Sequence, residues 1–312
     1  MQKIISPIDK EILLSELTKD KFLRDTNYDK NQIYLINYHD SPNTMREIGR
    51  LRELTFRYAG GGTGNEVDID EYDTHPIYPY QQLIVWNPYQ KEIVGGYRFL
   101  NCSKVKPDSD GSFHHVATTH LFQFSQKFID EFLPFTIELG RSFVQPNYQP
   151  SSTNRKGIFS LDNIWDGLGA IIVDNPTIKY FFGKFTMYLS YNIQARDMIL
   201  FFLKKHFPDK DRLVFPHNAL PIYTDINILH ELFTCDSYQE DYKILNTNVR
   251  QLNENIPPLV NTYMNISPSM RTFGTSLNDT FGEVEETGIM VTINDIYPQK
   301  KERHIYSYSN PK

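Results

Sequence analysis

Between positions 52 and 141 the sequence carries three guanidiniums and three carboxylates whose spacing could do chemistry: Arg52, Asp70, Asp73, Arg98, Glu138 and Arg141. Arg52 and Phe56 stand one helical turn apart. Asp70 and Asp73 fall in Val67-Asp-Ile-Asp-Glu-Tyr-Asp73, Arg98 closes Gly95-Gly-Tyr-Arg98, and Glu138-Leu-Gly-Arg141 pairs an acid with a base. A carboxylate held near an amine can remove its proton. A planar guanidinium can hold a substrate carboxylate through two parallel hydrogen bonds. The same six charges, equal in sign count, also suit a structural ion-pair network, and such a network itself shifts pKa values and orders polar sites. Both readings stand on the residues alone.

Other motifs point to less. Gly60-Gly-Gly-Thr-Gly64 lacks the Gly-Lys-Ser/Thr ending of a phosphate loop and reads as a turn. Asp68, Asp70 and Asp73 have neither the glycine near Asp73 nor the glutamate near Pro79 of a calcium loop. His114, His115 and His120 miss the i, i+4 spacing of a helical zinc pair, so no metal is expected. His206 and Asp211 match the His-x4-Asp pattern of glycerolipid acyltransferases, but the composition yields such a match by chance and no companion block follows.

The elements that must position these residues read as follows. A helix starts near Ser41 or Asn43, with Met45, Ile48, Leu51, Leu54 and Thr55 on its apolar face. The glycine run stops it. Leu83–Trp86 and Ile93–Phe99 flank Asn87-Pro88-Tyr89-Gln90 and predict a β-hairpin that holds the first two strands. Phe135–Val144 predicts a strand ended by Gln145-Pro146, and residues 147–157 a polar loop. Trp165, Leu168, Ile171 and Ile172 recur at helical spacing, Tyr180–Phe185 suits a buried strand, and Ala195–Phe207 a helix ended by Pro208. Beyond Pro216 the text is less regular, with a last strand at Gly288–Ile293. The sum is a mixed α/β sheet. Along a regular strand Glu138 and Arg141 would face opposite sides, so a bulge near Leu139-Gly140 is expected if both serve one site.

Composition bounds the setting. The 312 residues are 40% hydrophobic and 14% aromatic, enough for a sizeable core. Two cysteines, Cys102 and Cys235, build neither a disulfide scaffold nor a four-cysteine zinc site. The longest apolar stretch, Met198–Leu203, is far short of a spanning helix, and Asp9, Lys10 and Glu11 occupy the place of a secretory apolar region. A cytoplasmic protein is expected, with peripheral contact at the inner membrane face admitted. The 32 basic and 38 acidic residues leave a formal charge of −6, so no nucleic-acid partner is expected.

The ordered set Arg52…Phe56, Asp70-x-x-Asp73, Gly95-x-x-Arg98 and Glu138-x-x-Arg141 resembles the acyl-homoserine-lactone synthases, acyltransferases on a GNAT-like fold. The wider text is similar to their relatives, the ornithine-lipid N-acyltransferases often labelled "haemolysin". Glu138–Val144, Leu161–Ala170, Gly183–Tyr188, Lys204–Asp209, Pro257–Val260, Phe273–Thr275 and Phe281–Gly288 resemble the branch that makes N-acylglycine. The resemblance covers roughly residues 40 to 305. It departs after Phe56, where the lactone synthases carry a tryptophan and this chain has the glycine run, which speaks against an S-adenosylmethionine pocket.

The resemblance implies a GNAT-like, largely antiparallel sheet flanked by helices, with an arm over 1–40, the acyltransferase domain over 41–245 and an extension over 246–312. It implies transfer of a 3-hydroxyacyl group from acyl carrier protein to a small amino acid, glycine before ornithine, with no bound cofactor. A homoserine-lactone-type signal synthase and a non-catalytic membrane-active protein are the alternatives. Glu138 is the expected base, a backbone N–H near residues 139–143 the expected oxyanion donor, and Arg98 or Arg141 the expected carboxylate ligand. Asp70 and Asp73 shape the site, and Arg52 and Phe56 line it. Coenzyme-A-dependent relatives wrap pyrophosphate with a Gln/Arg-x-x-Gly-x-Gly/Ala loop, which Pro146–Gly157 lacks. Arg155 or Lys156 would meet the single phosphate of a carrier arm, and Lys204, Lys205, Lys210 and Arg212 its acidic surface.

Overall fold

The computed structural model describes residues 1–149 and 159–309. In chain order the described elements are α1 (Lys10–Glu16), β1 (Phe22–Asp25), β2 (Gln32–Ile36), α2 (Pro42–Ala59), α3 (Glu71–Thr74), β3 (Gln81–Asn87), β4 (Glu92–Asn101), β5 (Phe122–Phe124), β6 (Thr136–Val144) and α4 (Ser160–Asp174). There follow β7 (Tyr180–Met187), α5 (Ile193–His206), β8 (Val214–Pro216), α6 (Ile226–Leu232), α7 (Tyr238–Gln251), α8 (Pro258–Met264), β9 (Arg271–Asn278), β10 (Val284–Thr292) and α9 (Pro298–His304). They gather into two compact units. The first comprises Met1–Ala117, Pro134–Ile178 and Tyr297–Lys312, and the second Thr118–Leu133 and Lys179–Ile296.

In the first unit β1, β2, β3, β4 and β6 pair in that order, every neighbour antiparallel. The expected hairpin is β3–β4, with Lys91 in the left-handed region at its turn. It is not the first pair of strands, because β1 and β2 precede it and β2 pairs with β3. Gly96 is required where the strands close: a Cβ there would sit 2.3 Å from the Leu83 carbonyl oxygen. Helix α4 packs on β1, β3 and β4, and α9 packs on α4, while α2 lies against β6.

Helix α2 begins at Ser41, as expected, with Pro42 in its first turn. The Ser41 side chain makes no cap; instead the Glu16 carboxylate accepts from the Asn43 and Thr44 amides at 3.1 and 2.7 Å. Met45, Ile48 and Leu51 are buried, but Leu54 is 38% exposed and drops off the expected apolar face. Arg52 and Glu53, both fully buried, take the inward positions instead. Gly60, at φ 101°, ends the helix.

The second unit pairs β7, β10 and β9 antiparallel and, separately, β5 with β8. Its core is aromatic, with Phe124 and Phe273 edge-to-face and Phe128 tilted against Phe182 at centroid distances of 5.6, 5.8 and 5.2 Å. Helix α5 is buried from Ala195 to Leu203, the paired Arg196 and Asp197 included, and packs against α7. The sheets are mixed with helices and antiparallel throughout the registers described, in line with the expected fold class.

Candidate functional site

Five of the expected residues converge in the first unit. Asp70 caps α3, accepting from the Tyr72 and Asp73 amides, while Asp73 reaches back to the Asp70 amide. This single turn of helix holds two carboxylates at fixed angles. Arg98 on β4 meets both: its Nη1 lies 2.7 Å from each Asp70 oxygen and 3.3 Å from Asp73 Oδ2. Arg52 donates to Asp73 at 3.2 Å and to Gln82 Oε1 at 2.5 Å, and Gln82 donates on to Asp73 at 2.9 Å. Arg141 pairs with Asp68 at 2.8 Å and reaches Asp70 at 3.5 Å. Each carboxylate of the Asp68, Asp70 and Asp73 group therefore has a guanidinium partner.

The electrostatics follow from burial. Burial alone would raise the Asp70 carboxyl, but Arg98 and then Arg141 outweigh it and hold it well below the usual carboxylate range. For Asp68, buried completely, desolvation wins over Arg141 and Arg52, and its pKa rises. Arg52 is lowered by burial despite Asp73, whereas Arg98 is raised because Asp70 and Asp73 outweigh its burial. Arg98 also lies over two rings, its Cζ 5.1 Å from the Tyr80 centroid and 5.6 Å from that of Tyr72.

Glu138 is separate from this cluster but adjoins it. On β6 it is 2% exposed, and its Oε2 accepts from the Tyr80 hydroxyl and, at 3.1 Å, from the Ala117 amide. The phenol is held far above its ordinary pKa by burial and by the Glu138 charge, so it stays a donor. The register explains how Glu138 and Arg141 come to share a side. Gly96 pairs with Phe143 and Arg98 with Gly140, so β6 carries one residue more than β4 across this stretch. Arg141 absorbs it with φ 49°, in the left-handed region. The expected bulge is present, one to two residues later than Leu139-Gly140. Without it Arg141 would point to the α4 side of the sheet.

Other expectations fall differently. Phe56 is in the core, 9% exposed. Arg155 and Lys156 lie outside the described residues. The glycine turn is filled from within: Glu53 accepts from Thr63 N, Gly64 N and Arg57 Nε at 3.0, 2.7 and 2.6 Å. His206 bonds Asp241 at 2.8 Å, while Asp211 pairs with Lys127 and Arg271, so the His-x4-Asp match joins nothing. Lys205 is also engaged, by Asp241 at 2.7 Å and by the Phe233 and Cys235 carbonyls, which removes it from the expected basic patch. Tyr80, Gln82 and the Ala117 amide were not singled out from sequence. The only local signal is spacing: Tyr80, one residue before β3, and Gln82, its second residue, are two apart and precede the apolar run Leu83–Trp86.

Comparison with known proteins gives the chain a family. The model of the acetyltransferase (GNAT) domain matches residues 51–156, a span that holds the whole charged cluster. A glycine N(alpha)-acyltransferase of Phocaeicola vulgatus is 58% identical over 308 residues, covering 99% of this chain and 94% of the relative. One of Bacteroides thetaiotaomicron is 56% identical over 99% of this chain and 91% of its own. Among solved structures, a CoA-dependent acyl-homoserine lactone synthase aligns over 90% of this chain and 91% of its own, at 13% identity and a TM-score of 0.41. An N-acyl amino acid synthase from uncultured soil microbes aligns over 89% and 95%, at 9% identity and a TM-score of 0.38. Among the described residues, no helix is long and apolar enough to cross a membrane.

Proposed function

The chain belongs to the family of the GNAT-like glycine N(alpha)-acyltransferases, and we propose that it moves a 3-hydroxyacyl group from acyl carrier protein to the amino group of glycine. The amine nitrogen bonds to the thioester carbonyl carbon, the carbon–sulfur bond breaks, and the carrier thiolate leaves. An ammonium cannot attack, so a base takes its proton first. Glu138 is that base, directly or through a water. The observation that carries the reading is its setting: a carboxylate buried on the strand, fixed by Tyr80 and Ala117 through one oxygen. A backbone N–H at the β6 bulge is the proposed oxyanion donor.

Glycine is favoured as acceptor by two arguments. The curated relatives carry its name. Ornithine would bring a second ammonium, yet Asp68, Asp70 and Asp73 are each already matched by a guanidinium. The carboxylate of the acceptor goes to Arg98 or Arg141. Carrier protein is favoured over coenzyme A because Pro146–Gly157 lacks the glycine spacing of a pyrophosphate loop. The product, an N-(3-hydroxyacyl)glycine, would be O-acylated by a separate enzyme into a membrane aminolipid. Purified protein with 3-hydroxyacyl carrier protein tests this: thiol release that depends on glycine and not on ornithine supports it. Equal turnover with ornithine overturns the acceptor, and equal, salt-insensitive turnover with acyl-coenzyme A overturns the donor.

A further inference from the structure

Tyr80 stands where the proposed base and the charged cluster meet. The residue lies just before β3 and is 1% exposed. Its hydroxyl donates to Glu138 Oε2 and accepts from the Ala117 amide at 2.8 Å, and the same amide reaches Glu138 Oε2 at 3.1 Å. Its ring carries Arg98 Cζ 5.1 Å from the centroid and meets the Tyr72 ring edge-on at 5.9 Å. Its backbone is tied at both ends, the amide to the Tyr72 carbonyl at 3.0 Å and the carbonyl to Gln82 Nε2 at 3.2 Å. A rigid ring held in this way fixes where its oxygen points. Packing alone does not call for that oxygen, since phenylalanine would fill the same space without the cost of desolvating a hydroxyl. What the hydroxyl adds is the bond to Glu138.

We propose that Tyr80 is a positioning residue for the transfer: its O–H holds the Glu138 carboxylate in one orientation and favours its charged, proton-accepting form. This rests on the reading of Glu138 as the base and names the group through which that base is set. Tyr80 itself touches no reacting atom. A hydrogen bond donated to a carboxylate stabilises the anion over the acid, so removing it lets the carboxylate take a proton at higher pH. The phenol stays the donor, because burial and the Glu138 charge keep it protonated. Tyr72, on α3, and Cys102, after β4, are likewise raised, first by burial and then by nearby carboxylates, so neither ionises near neutrality. Arg98, on β4, keeps its charge beside Asp70 and Asp73. His115 offers the Tyr80 hydroxyl its backbone carbonyl at 3.4 Å, while its ring lies against Asp108 at 2.9 Å and against the His75 ring.

Tyr80→Phe keeps the ring against Arg98 and leaves the Ala117 amide its bond to Glu138, so the chain should fold, with a melting midpoint within about 5 °C of wild type. The assay is thiol release from 3-hydroxyacyl carrier protein, followed against pH at limiting glycine. The expected result is an acid limb of kcat/KM moved up by about one to two pH units, the worth of one hydrogen bond to a charged group. Below the limb the variant should be about 10- to 100-fold slower, and above it the two enzymes should converge to within about threefold. A purely structural role would instead lower the rate at every pH. Adding Tyr80→Phe to Glu138→Gln should cost less than about a further twofold, because the phenol acts through the carboxylate. Should Tyr80→Phe fail to fold, 3-fluorotyrosine placed at position 80, a more acidic donor of nearly the same size, should move the limb down. An unmoved limb in the replacement that folds overturns the proposal, as does a multiplicative loss in the double variant. Wild-type kcat in Glu138→Gln would instead overturn the reading of the base on which the proposal rests.

Discussion

Glu138→Gln separates a catalytic carboxylate from a structural one. The amide is isosteric, and its carbonyl oxygen can take the place of Oε2, accepting from the Tyr80 hydroxyl and the Ala117 N–H. What the fold loses is the charge on two hydrogen bonds, each falling from about 1.5–3 to about 0.5–1.5 kcal/mol. Relief from burying a carboxylate offsets part of that loss. The melting midpoint should therefore move by only a few degrees. Catalysis loses its base, for which the expected fall in kcat is about 10²- to 10⁴-fold, or about 2.7–5.5 kcal/mol of barrier. The assay is release of carrier thiol from 3-hydroxyacyl carrier protein at saturating glycine, read beside the circular dichroism melt. Raising the pH until the free amine is itself neutral should recover part of the lost rate, because solvent then does what the carboxylate did. A variant within tenfold of wild-type kcat, equally folded, would refute the argument.

Three further outcomes follow from the structure. Asp70→Asn keeps the cap on α3 but breaks the pair with Arg98, and should cost about 3–5 kcal/mol at neutral pH by denaturant melting. Because the folded Asp70 pKa is depressed below 3.8, the stability it adds is complete above that value and drains as pH falls toward the folded one. The gap between wild type and variant should therefore narrow below about pH 4; a gap that widens there contradicts the pairing. Gly169→Ala would push a Cβ to 1.9 Å from the His304 carbonyl oxygen, so it should cost about 1–3 kcal/mol and loosen α9, measured by hydrogen exchange over 298–304. His206→Asn should leave kcat/KM per folded molecule within about threefold of wild type, since His206 serves Asp241 and not Asp211; a hundredfold loss would revive the His-x4-Asp reading.

Much of the frame around the site was legible because its signals are local. The β3–β4 hairpin, α2, α4, α5 and β7 all announced themselves by apolar period and by turn residues at their ends. What escaped depended on partners far along the chain. Strand β9, Arg-Thr-Phe-Gly-Thr-Ser-Leu-Asn, has no apolar run and becomes a strand through pairing with β10. Leu54 was assigned inward by period alone, yet the inward place belongs to Arg52 and Glu53, whose charges are met by Asp73, Arg57 and the Thr63 turn. In the site, the six charged positions were found by type and order. Their division was not: Asp68, Asp70 and Asp73 are matched to three guanidiniums, while Glu138 accepts from the Tyr80 hydroxyl and the Ala117 amide. Only geometry distinguishes a carboxylate answered by arginine from one answered by a phenol and an amide.

The measurement that bears most directly on the central claim is mass spectrometry of lipids from a host expressing this chain, beside the same host expressing Glu138→Gln. N-(3-hydroxyacyl)glycine should accumulate with the wild-type chain and be lost or nearly lost with the variant, both proteins being present at equal level. Acylated ornithine or an acylated homoserine lactone without acylglycine would contradict the acceptor assignment. Acylglycine formed equally by the variant would contradict the role of Glu138.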